Sequence, residues 1–432
     1  MFKKLLQKVE MHEWFGIAIS FIYYFCILTA YYVMRPMRDQ LAAEVGTLEL
    51  PFFFMATLVA TLCLTPLFAW LVARFPRHVA MPVVYLFFIV CLAVFIWLFD
   101  HPLLLSPETL GLLFFVWVSI FNLFVVSVFW SFMADIWSEG QAMRLFPLIA
   151  LGGTTGAITG PLITRSLIEI IDPSTLLMIS TALLVAAIGC IMTLGKWAQR
   201  FGFHRHETGN ESAIGGGILD GIKQIVGNAF IRNMAIMMLL NDAIGTIAYV
   251  LVTDYSSTTF MNDSIAQTRF AANMDLASNI SQIVLQLTIT RFLLVRYGPG
   301  FVFLTCAATI VISCIGLYAS HDPFTPWIGT MPLVSLILIL TRALSYGMLQ
   351  PARESLYTLV TRDLRYKGKN AVDTFMWRAG DVLSLLSINA FRALGVTTSG
   401  FGLIWAGLAA ISGVVGWKLA VRAESGEFEK SR

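Results

Sequence analysis

The chain has 432 residues, of which 57% are hydrophobic and only 13% are charged, and its formal net charge is +3. A soluble protein of this length carries about twice that charged fraction, so the composition excludes an ordinary soluble protein. The surplus apolar surface requires lipid as its solvent, and the lipid bilayer is the first expected partner.

Apolar runs follow one another along the whole chain. Each is about 20 residues long, the length that crosses a bilayer as a helix. They predict an all-α membrane protein with twelve transmembrane helices, centred in 14–34, 51–72, 80–99, 109–131, 146–169, 175–195, 233–255, 270–292, 300–319, 328–350, 372–392 and 399–419.

Cationic residues fall in alternate connections between the predicted spans. The opposite connections, such as "DHPLLLSPE" and "SHDPFTP", contain none. Positive residues favour the cytoplasmic side, so the pattern predicts an inner-membrane protein with both termini in the cytoplasm. The residues that carry the pattern include Lys3, Lys4, Lys8, Arg74, Arg77, Lys196, Arg200, Arg205, Arg362, Arg365, Lys367, Lys369, Lys418 and Arg422.

One long polar connection divides the predicted spans six and six. The expected organisation is an N-terminal bundle over 1–198, a cytoplasmic linker with an amphipathic segment over 199–231, and a C-terminal bundle over 232–432. "WLVARFPRHV" and "FLLVRYGPGFV" occupy equivalent places in the two halves. Two parallel six-helix repeats of this kind resemble the major-facilitator fold, in which substrate binds between the halves.

Charged residues inside the predicted spans are the main functional signal. An arginine at the centre of a span costs about 3 kcal/mol or more unless it faces water or a partner. On the first span, Tyr31, Arg35, Arg38 and Asp39 share one helical face. Similar polar stripes are predicted on span ten, with Arg342, Tyr346, Gln350, Arg353 and Glu354, and on span seven, with Asp242, Thr246, Tyr249 and Thr253.

These stripes favour a cavity for an organic anion, because a guanidinium presents a planar fork of donors to phosphate or carboxylate. Two structural explanations remain open. Arg35 with Asp39, and Arg378 with Asp381, have the spacing of intrahelical ion pairs. Arg353 is the arginine most suited to extend its charge to the membrane interface.

Other motifs indicate packing rather than chemistry. "GGTTGAITGP" (152–161) lacks the GK[ST] ending of a phosphate-binding loop. Its small residues at 152, 156 and 160 share one face of span five and predict a close helix–helix approach. No nucleophile–base arrangement, cofactor motif or metal cluster is evident, so we expect no enzyme, no cofactor, no metal and no nucleic-acid partner.

Three blocks of sequence resemble the ATP/ADP translocases of plastids and intracellular bacteria. They are "YYVMRPMRDQL" (31–41), "ADIWSEGQAMRLFPLIALGG" (134–153) and "PARESLYTLVTRDLRYKGKNAVDTFMWRAGD" (351–381). The resemblance implies nucleotide exchange and places Asp135 at the family's acidic position. Two departures matter. Asp381 stands where that family has a lysine, and Arg38 and Arg353 stand where lysines are usual.

The sequence therefore predicts a monomeric secondary active transporter that moves a small organic anion by alternating access, through exchange or ion coupling. A nucleotide or another phosphorylated metabolite is the expected substrate class. The expected substrate-binding residues are Arg35, Arg38, Tyr31, Arg342, Tyr346, Arg353 and Arg378, and the expected coupling or gating residues are Asp39, Asp135, Asp242, Glu354 and Asp381.

Three alternatives use the same sequence features. A proton-driven exporter of amphiphilic compounds such as drugs or siderophores would depend on Asp39 or Asp381 rather than on Arg35. A lipid transporter is compatible with the many phenylalanines of spans two to four. A membrane receptor or scaffold would transport nothing.

Overall fold

A computed structural model gives the fold of most of the chain. It describes residues 10, 13–74, 77–101, 103–201, 225, 227–320, 322–324, 326–328, 331–357, 359–360 and 372–427. The predicted amphipathic segment over 218–231 and the Lys367–Lys369 part of the third sequence block lie largely or wholly outside these residues. The same holds for Lys3, Lys4 and Lys8 at the N-terminus.

Long helices dominate the described residues. The α-helices in chain order are α1 (Glu13–Val45), α2 (Leu50–Arg74), α3 (Arg77–Asp100), α4 (Pro107–Ile136), α5 (Glu139–Leu167), α6 (Pro173–Phe201), α7 (Ala229–Thr259), α8 (Ser264–Leu285), α9 (Arg291–Ala319), α10 (Leu333–Leu344), α11 (Gln350–Tyr357), α12 (Trp377–Ala393) and α13 (Gly400–Glu424). A short antiparallel pair, β1 (Pro326–Ile328) and β2 (Met331–Pro332), precedes α10.

Ten helical segments of the described chain are long and apolar enough to cross a membrane. One of them, Ser264–Ala319, has 56 residues, more than twice the ~20 that one crossing needs. Gly298 interrupts it with a φ of 78°, just before Pro299, where the sequence predicts a connection between two spans. Segment α12, with 17 residues, is shorter than a typical crossing, so a total of twelve spans stays a prediction.

The chain forms two compact units. The first contains Met1–Gly46, Met55–Gly209 and Phe260–Leu276, and the second contains Thr47–Phe54, Asn210–Thr259 and Ala277–Arg432. The predicted boundaries at 198 and 232 would place α2 in the N-terminal bundle and α8 in the C-terminal bundle. The structure instead groups the start of α2, up to Phe54, with the second unit, and α8 up to Leu276 with the first unit.

In the first unit, α1 packs against α4, α5 and α6. Glycines of α5 allow the closest of these approaches. A Cβ at Gly156 would lie 2.7 Å from the carbonyl oxygen of Phe25, and one at Gly160 would lie 2.9 Å from that of Thr29. This confirms the predicted packing role of the small residues at 152, 156 and 160, since no larger side chain fits between the two backbones.

A buried carboxylate fixes the start of α1 to the start of α5. Glu13 has no exposed surface and accepts hydrogen bonds from Gln141, at 2.8 Å, and from Arg144. Gln141 also forms the capping box of α5 with Ser138. The first turn of α1 is therefore held by both charge and hydrogen bonds.

In the second unit, α13 packs against α9 and α7, and α7 also packs against α12 and α10. Among the residues of this unit that the structure describes, three π-helical turns interrupt the helices: π1 (Gln286–Thr290), π2 (Ser345–Leu349) and π3 (Val372–Met376). A π-turn holds one more residue than an α-turn, so it changes the direction of every side chain that follows. Such turns are frequent at functional sites.

Candidate functional site

The predicted anion-binding face of α1 lies inside the first unit. Arg35 is 17% exposed at its side chain, and Asp39 is 12% exposed. The two groups are only loosely paired, with Arg35 Nε 4.0 Å from Asp39 Oδ2. The tighter partner of Asp39 is Arg38, whose Nη2 donates to Asp39 Oδ1 at 2.6 Å. The spacing in the sequence allows an ion pair between Arg35 and Asp39, but in the structure the Asp39 carboxylate pairs chiefly with Arg38.

Asp275 of α8 is the second partner of Arg35. Its Oδ1 lies 3.5 Å from Arg35 Nη1, and the residue is 1% exposed. The expected site residues do not include Asp275, although an aspartate within a predicted span was a signal that could have found it. Arg35, Arg38, Asp39 and Asp275 together carry no net charge, and we call them the Arg35 cluster.

One donor of the Arg35 cluster is not satisfied. Arg35 Nε is buried and has no hydrogen-bond partner among the described residues. Its two carboxylate neighbours, at 3.5 and 4.0 Å, are farther away than a good charge-assisted hydrogen bond allows. A buried guanidinium held this loosely is suited to an incoming anion.

Aromatic side chains border the same cluster. The Arg35 guanidinium lies 5.6 Å from the centre of the Tyr32 ring, and that of Arg38 lies 4.9 Å from the centre of the Phe115 ring. Both distances suit cation–π attraction. Tyr31, predicted to bind substrate, is only 6% exposed and belongs to the hydrophobic core of the unit, with its ring edge against Tyr32.

A second cluster lies in the second unit, where α7 packs on α12. The start of α12 approaches Asp242 closely, since a Cβ at Gly380, next to Asp381, would lie 2.7 Å from Asp242 Oδ2. Thr246 Oγ1 donates to Asp381 Oδ1 at 3.3 Å, and Arg378 Nη1 lies 3.8 Å from Asp381 Oδ2. The structure thus brings together three predicted site residues, Asp242, Arg378 and Asp381, and adds Thr246. We call these four residues the Asp242 cluster.

Arg353 departs from its predicted position. It is only 7% exposed, so it does not extend to the membrane interface, and its Nη1 lies 2.9 Å from Asp373 Oδ1 of π3. Glu354 lies 3.4 Å from Arg353 Nη2, and its side chain is 40% exposed. In the sequence, Asp373 is only one residue of the third block that resembles the translocases. In the structure it is the main partner of Arg353.

The predicted polar stripe of span ten is interrupted by π2. Arg342 lies in the last turn of α10, while Tyr346 lies within π2 and is 41% exposed. The predicted stripe assumes regular α-helical spacing throughout. The additional residue in π2 breaks that spacing, so Arg353 faces the interior while Tyr346 is exposed. Asp135 is half-buried near the C-terminal end of α4.

Further ion pairs lie near the ends of the helices. In the second unit, Asp254 of α7 binds Arg392 of α12 and accepts a hydrogen bond from Thr47 at 2.6 Å. In the first unit, Glu169 and Arg269 form an exposed ion pair. These residues neutralise one another, which agrees with the structural explanation for part of the intramembrane charge.

Sequence comparison links the chain to nucleotide carriers at a distance. No protein-family model matches it. It is 21% identical over 349 residues to "ADP,ATP carrier protein 2, chloroplastic" from Arabidopsis thaliana, which covers 73% of this chain and 54% of the relative. The corresponding carrier protein 1 is 20% identical over 353 residues, with 74% and 54% covered. The chain thus spans about half the length of these curated relatives.

Structural comparison shows the fold over nearly the whole chain. The nucleoside transporter NupG has a TM-score of 0.60 at 16% identity and covers 98% of this chain and 100% of its own. The D-xylose-proton symporter gives 0.61 at 11%, with 94% and 98% covered. The POT family transporter PepTSo gives 0.64 at 13%, with 96% and 98% covered. All three are transporters by name, and the likeness shows that this chain shares their helical fold. Together with the ten long apolar segments of the described residues, it makes the chain a multi-pass helical membrane protein.

Proposed function

We propose that this protein is a secondary active transporter that moves a small organic anion across the membrane by alternating access. The carriers that it resembles in sequence and the solved structures that share its fold are transporters, which supports transport rather than catalysis. A nucleotide or another phosphorylated metabolite is the substrate class that we favour.

The observation that carries the proposal is the state of Arg35. Its guanidinium is buried, and its Nε has no hydrogen-bond partner among the described residues. The neighbouring carboxylate oxygens of Asp275 and Asp39 lie 3.5 and 4.0 Å from the guanidinium nitrogens. A phosphate or carboxylate of the substrate would accept from the fork of this guanidinium and replace the loose ion pairs. The ion pair between Arg38 and Asp39 would stay intact when the anion binds.

Nucleotide exchange is supported by the relatives, which are named as ADP,ATP carrier proteins. The Asp242 cluster weakens the case for a triphosphate, because it holds two carboxylates and one guanidinium. A carboxylate at 381 in place of a lysine changes the local charge by about two units, which disfavours the most highly charged anions. We therefore favour a substrate with fewer charges than ATP.

Counterflow in liposomes that contain the purified protein tests the proposal. The lumen is preloaded in turn with unlabelled AMP, ADP, ATP or a sugar phosphate, and the labelled compound is supplied outside. Accumulation that requires preloading would establish anion exchange. Arg35→Gln should abolish it, whereas Arg165→Gln, at an exposed position near the end of α5, should leave it intact. Normal transport by Arg35→Gln would contradict the assignment of this residue.

The same counterflow experiment separates the alternative functions. Folded protein that accumulates none of these anions, but exports an amphiphilic dye when a proton gradient is applied, would be an exporter. Copurifying lipid that exchanges between leaflets would indicate a lipid transporter. Either result would replace the anion proposal.

We also infer twelve crossings, both termini in the cytoplasm and residence in the inner membrane as a monomer. The 56-residue segment counts as two crossings, and α12 with π3 supplies another. An even number of crossings places both termini on one side, in agreement with the distribution of lysine and arginine.

A further inference from the structure

Polar side chains share one face of α8. At about 100° per residue, they fall within about one third of the helix circumference. The exposed side chains of Ile280 and Val284 lie on the opposite side of the helix. A membrane helix with an apolar outer face and a polar inner face is suited to border a path for a polar substrate. The residues of this α8 polar face are Gln267, Thr268, Asp275, Ser278, Asn279 and Gln282.

The α8 polar face includes a contact with the Arg35 cluster. Asp275 Oδ1 lies 3.5 Å from Arg35 Nη1. Ser278 and Gln282 follow Asp275 about one and two helical turns farther along α8, which corresponds to about 4.5 and 10.5 Å along the helix axis. Both distances are within the length of a small phosphorylated metabolite.

The hydroxyl group of Ser278 has no hydrogen bond. Its Oγ is buried, the residue is 3% exposed, and none of the described residues gives it a partner. Other helical serines of this chain donate to the carbonyl oxygen four residues earlier, at 2.8 Å for Ser119 and 2.7 Å for Ser127. Ser278 makes no such bond, so its donor and its acceptor are both available. A ligand that both donates and accepts, as an alcohol does, would satisfy this hydroxyl.

The backbone at Gln282 is held closely by π1 and π2 of the second unit. A Cβ at Gly347 would lie 2.9 Å from the carbonyl oxygen of Gln282. Thr290 Oγ1 of π1 donates to the carbonyl oxygen of Gly347 at 2.7 Å. Close-packed backbones leave little room for movement. The half-buried side chain of Gln282 therefore extends from a rigid position, as recognition of a ligand requires.

We propose that Ser278 and Gln282 recognise hydroxyl groups of the substrate, so that the transported anion carries alcohol groups, as a sugar phosphate or a nucleotide does. This inference rests on the proposed anion transport through Arg35. The charged group binds Arg35, and the hydroxyl groups exchange hydrogen bonds with Ser278 Oγ and the Gln282 amide. An anion of equal charge without hydroxyl groups leaves these buried groups unpaired and binds more weakly.

Matched phosphate esters test the substrate class. Glycerol 3-phosphate is compared with propyl phosphate, and ADP with 2′,3′-dideoxy-ADP, because the members of each pair differ only in their hydroxyl groups. Binding to the purified protein is measured by titration calorimetry. We expect the hydroxylated member of a pair that binds to bind at least about 10-fold more tightly. Equal affinities within such a pair would overturn the inference and leave anion binding in place. If folded protein binds none of the four compounds, both the proposed phosphorylated substrate and this inference are rejected.

Substitutions test the two residues. Ser278→Ala and Gln282→Met should each weaken binding of the hydroxylated compound by about 3- to 10-fold and leave binding of its partner compound unchanged. Ser127→Ala is the matched control, because its hydroxyl donates to Leu123, and it should keep the wild-type ratio of affinities.

The ratio of affinities separates recognition from a structural role, which would change both members of a pair alike. An unchanged ratio in the folded variants would overturn the assignment of Ser278 and Gln282. Gln282→Met keeps the length of the side chain and tests the α8 polar face even if Ser278→Ala does not fold. The wild-type ratio is decisive for the substrate class without either variant.

Discussion

At the scale of single residues, the proposed function depends on charges that are paired imperfectly. Arg35 lies between two carboxylates that reach it at 3.5 and 4.0 Å, while its neighbour Arg38 holds Asp39 at 2.6 Å. These distances leave the Arg35 guanidinium available to a ligand, whereas Asp39 occupies that of Arg38. We therefore propose that Arg38 keeps Asp39 away from Arg35.

Removal of Asp275 should strengthen anion binding. Asp275→Asn keeps the shape of the side chain but removes the carboxylate nearest to Arg35, so the anion no longer competes with it. We expect the half-saturation concentration in counterflow to fall by roughly 3- to 10-fold, since the lost competition corresponds to about 1 kcal/mol. Maximal exchange should fall as well, because release of the anion becomes slower.

The matched comparison for this variant is Glu169→Gln, which removes a carboxylate from an exposed ion pair of the same unit. Exposed pairs contribute about 0–1 kcal/mol, so its half-saturation concentration should stay near that of the wild type. An unchanged half-saturation concentration in Asp275→Asn would show that Arg35 does not bind the anion.

At the scale of helices, the position of Arg35 depends on how closely α5 approaches α1. A side chain at Gly156 would meet the Phe25 carbonyl oxygen at 2.7 Å and the Thr29 nitrogen at 3.0 Å. Backbone atoms cannot give way as a flexible side chain can. The glycine face of α5 is therefore required for the position of α1.

Gly156→Ala should separate these helices and destabilise the protein by about 1–3 kcal/mol, the usual cost of overpacking. The measurement is thermal unfolding in detergent. Gly189→Ala in α6 is the control, because a Cβ there meets nothing within 4 Å, and it should unfold at or above the wild-type temperature. Equal unfolding temperatures for the two variants would contradict the close packing of α1 on α5.

The π2 turn controls the direction of α11. Deletion of Tyr346, an exposed residue within π2, removes the additional residue of the turn, so the segment should become α-helix while Arg353 still faces Asp373. Deletion of Ile339 within the regular helix α10 should instead rotate the following residues by about 100° and leave Arg353 as an unpaired buried charge. We expect the Tyr346 deletion to stay monodisperse in size-exclusion chromatography and the Ile339 deletion to lose monodisperse protein. Loss of monodisperse protein in the Tyr346 deletion alone would mean that π2 does not act as a one-residue insertion.

Sequence periodicity predicts regular helices well and their interruptions poorly. The close approach at Gly156 and Gly160 follows from spacing alone, because four residues return to the same helical face. The burial of Arg353 and its pairing with Asp373 depend on π2 and π3, and no local pattern marks a π-turn. The partner Asp275 lies far from Arg35 in the chain, and periodicity within one helix cannot reveal it.

At the scale of the whole molecule, the alternation of charge predicts which connections lie on the same side of the membrane. Leu103, between α3 and α4, is fully exposed at 101%, and Lys196, near the end of α6, is also exposed. An odd number of predicted crossings separates the two positions. They should therefore lie on opposite sides.

Cysteine labelling of whole cells tests this arrangement. The exposed Cys63 is first replaced by serine, and Leu103→Cys and Lys196→Cys are then introduced separately. A membrane-impermeant maleimide should label position 103 in intact cells and position 196 only after permeabilisation. Labelling of both positions in intact cells would contradict the predicted topology.

Two charged residues of α1 have partners that are synthesised well after α1 itself. Glu13 is neutralised by Arg144, which lies 131 residues later, and Arg35 by Asp275, which the ribosome reaches later still. At about 5–20 residues per second, the first interval alone lasts roughly 10 s. During that time α1 must stay in or near the membrane without the later partners of Glu13 and Arg35, and only Arg38 has a close partner, Asp39, within the helix. Newly made α1 therefore needs the insertion machinery, or the aqueous surface, as a temporary partner until α5 and then α8 arrive.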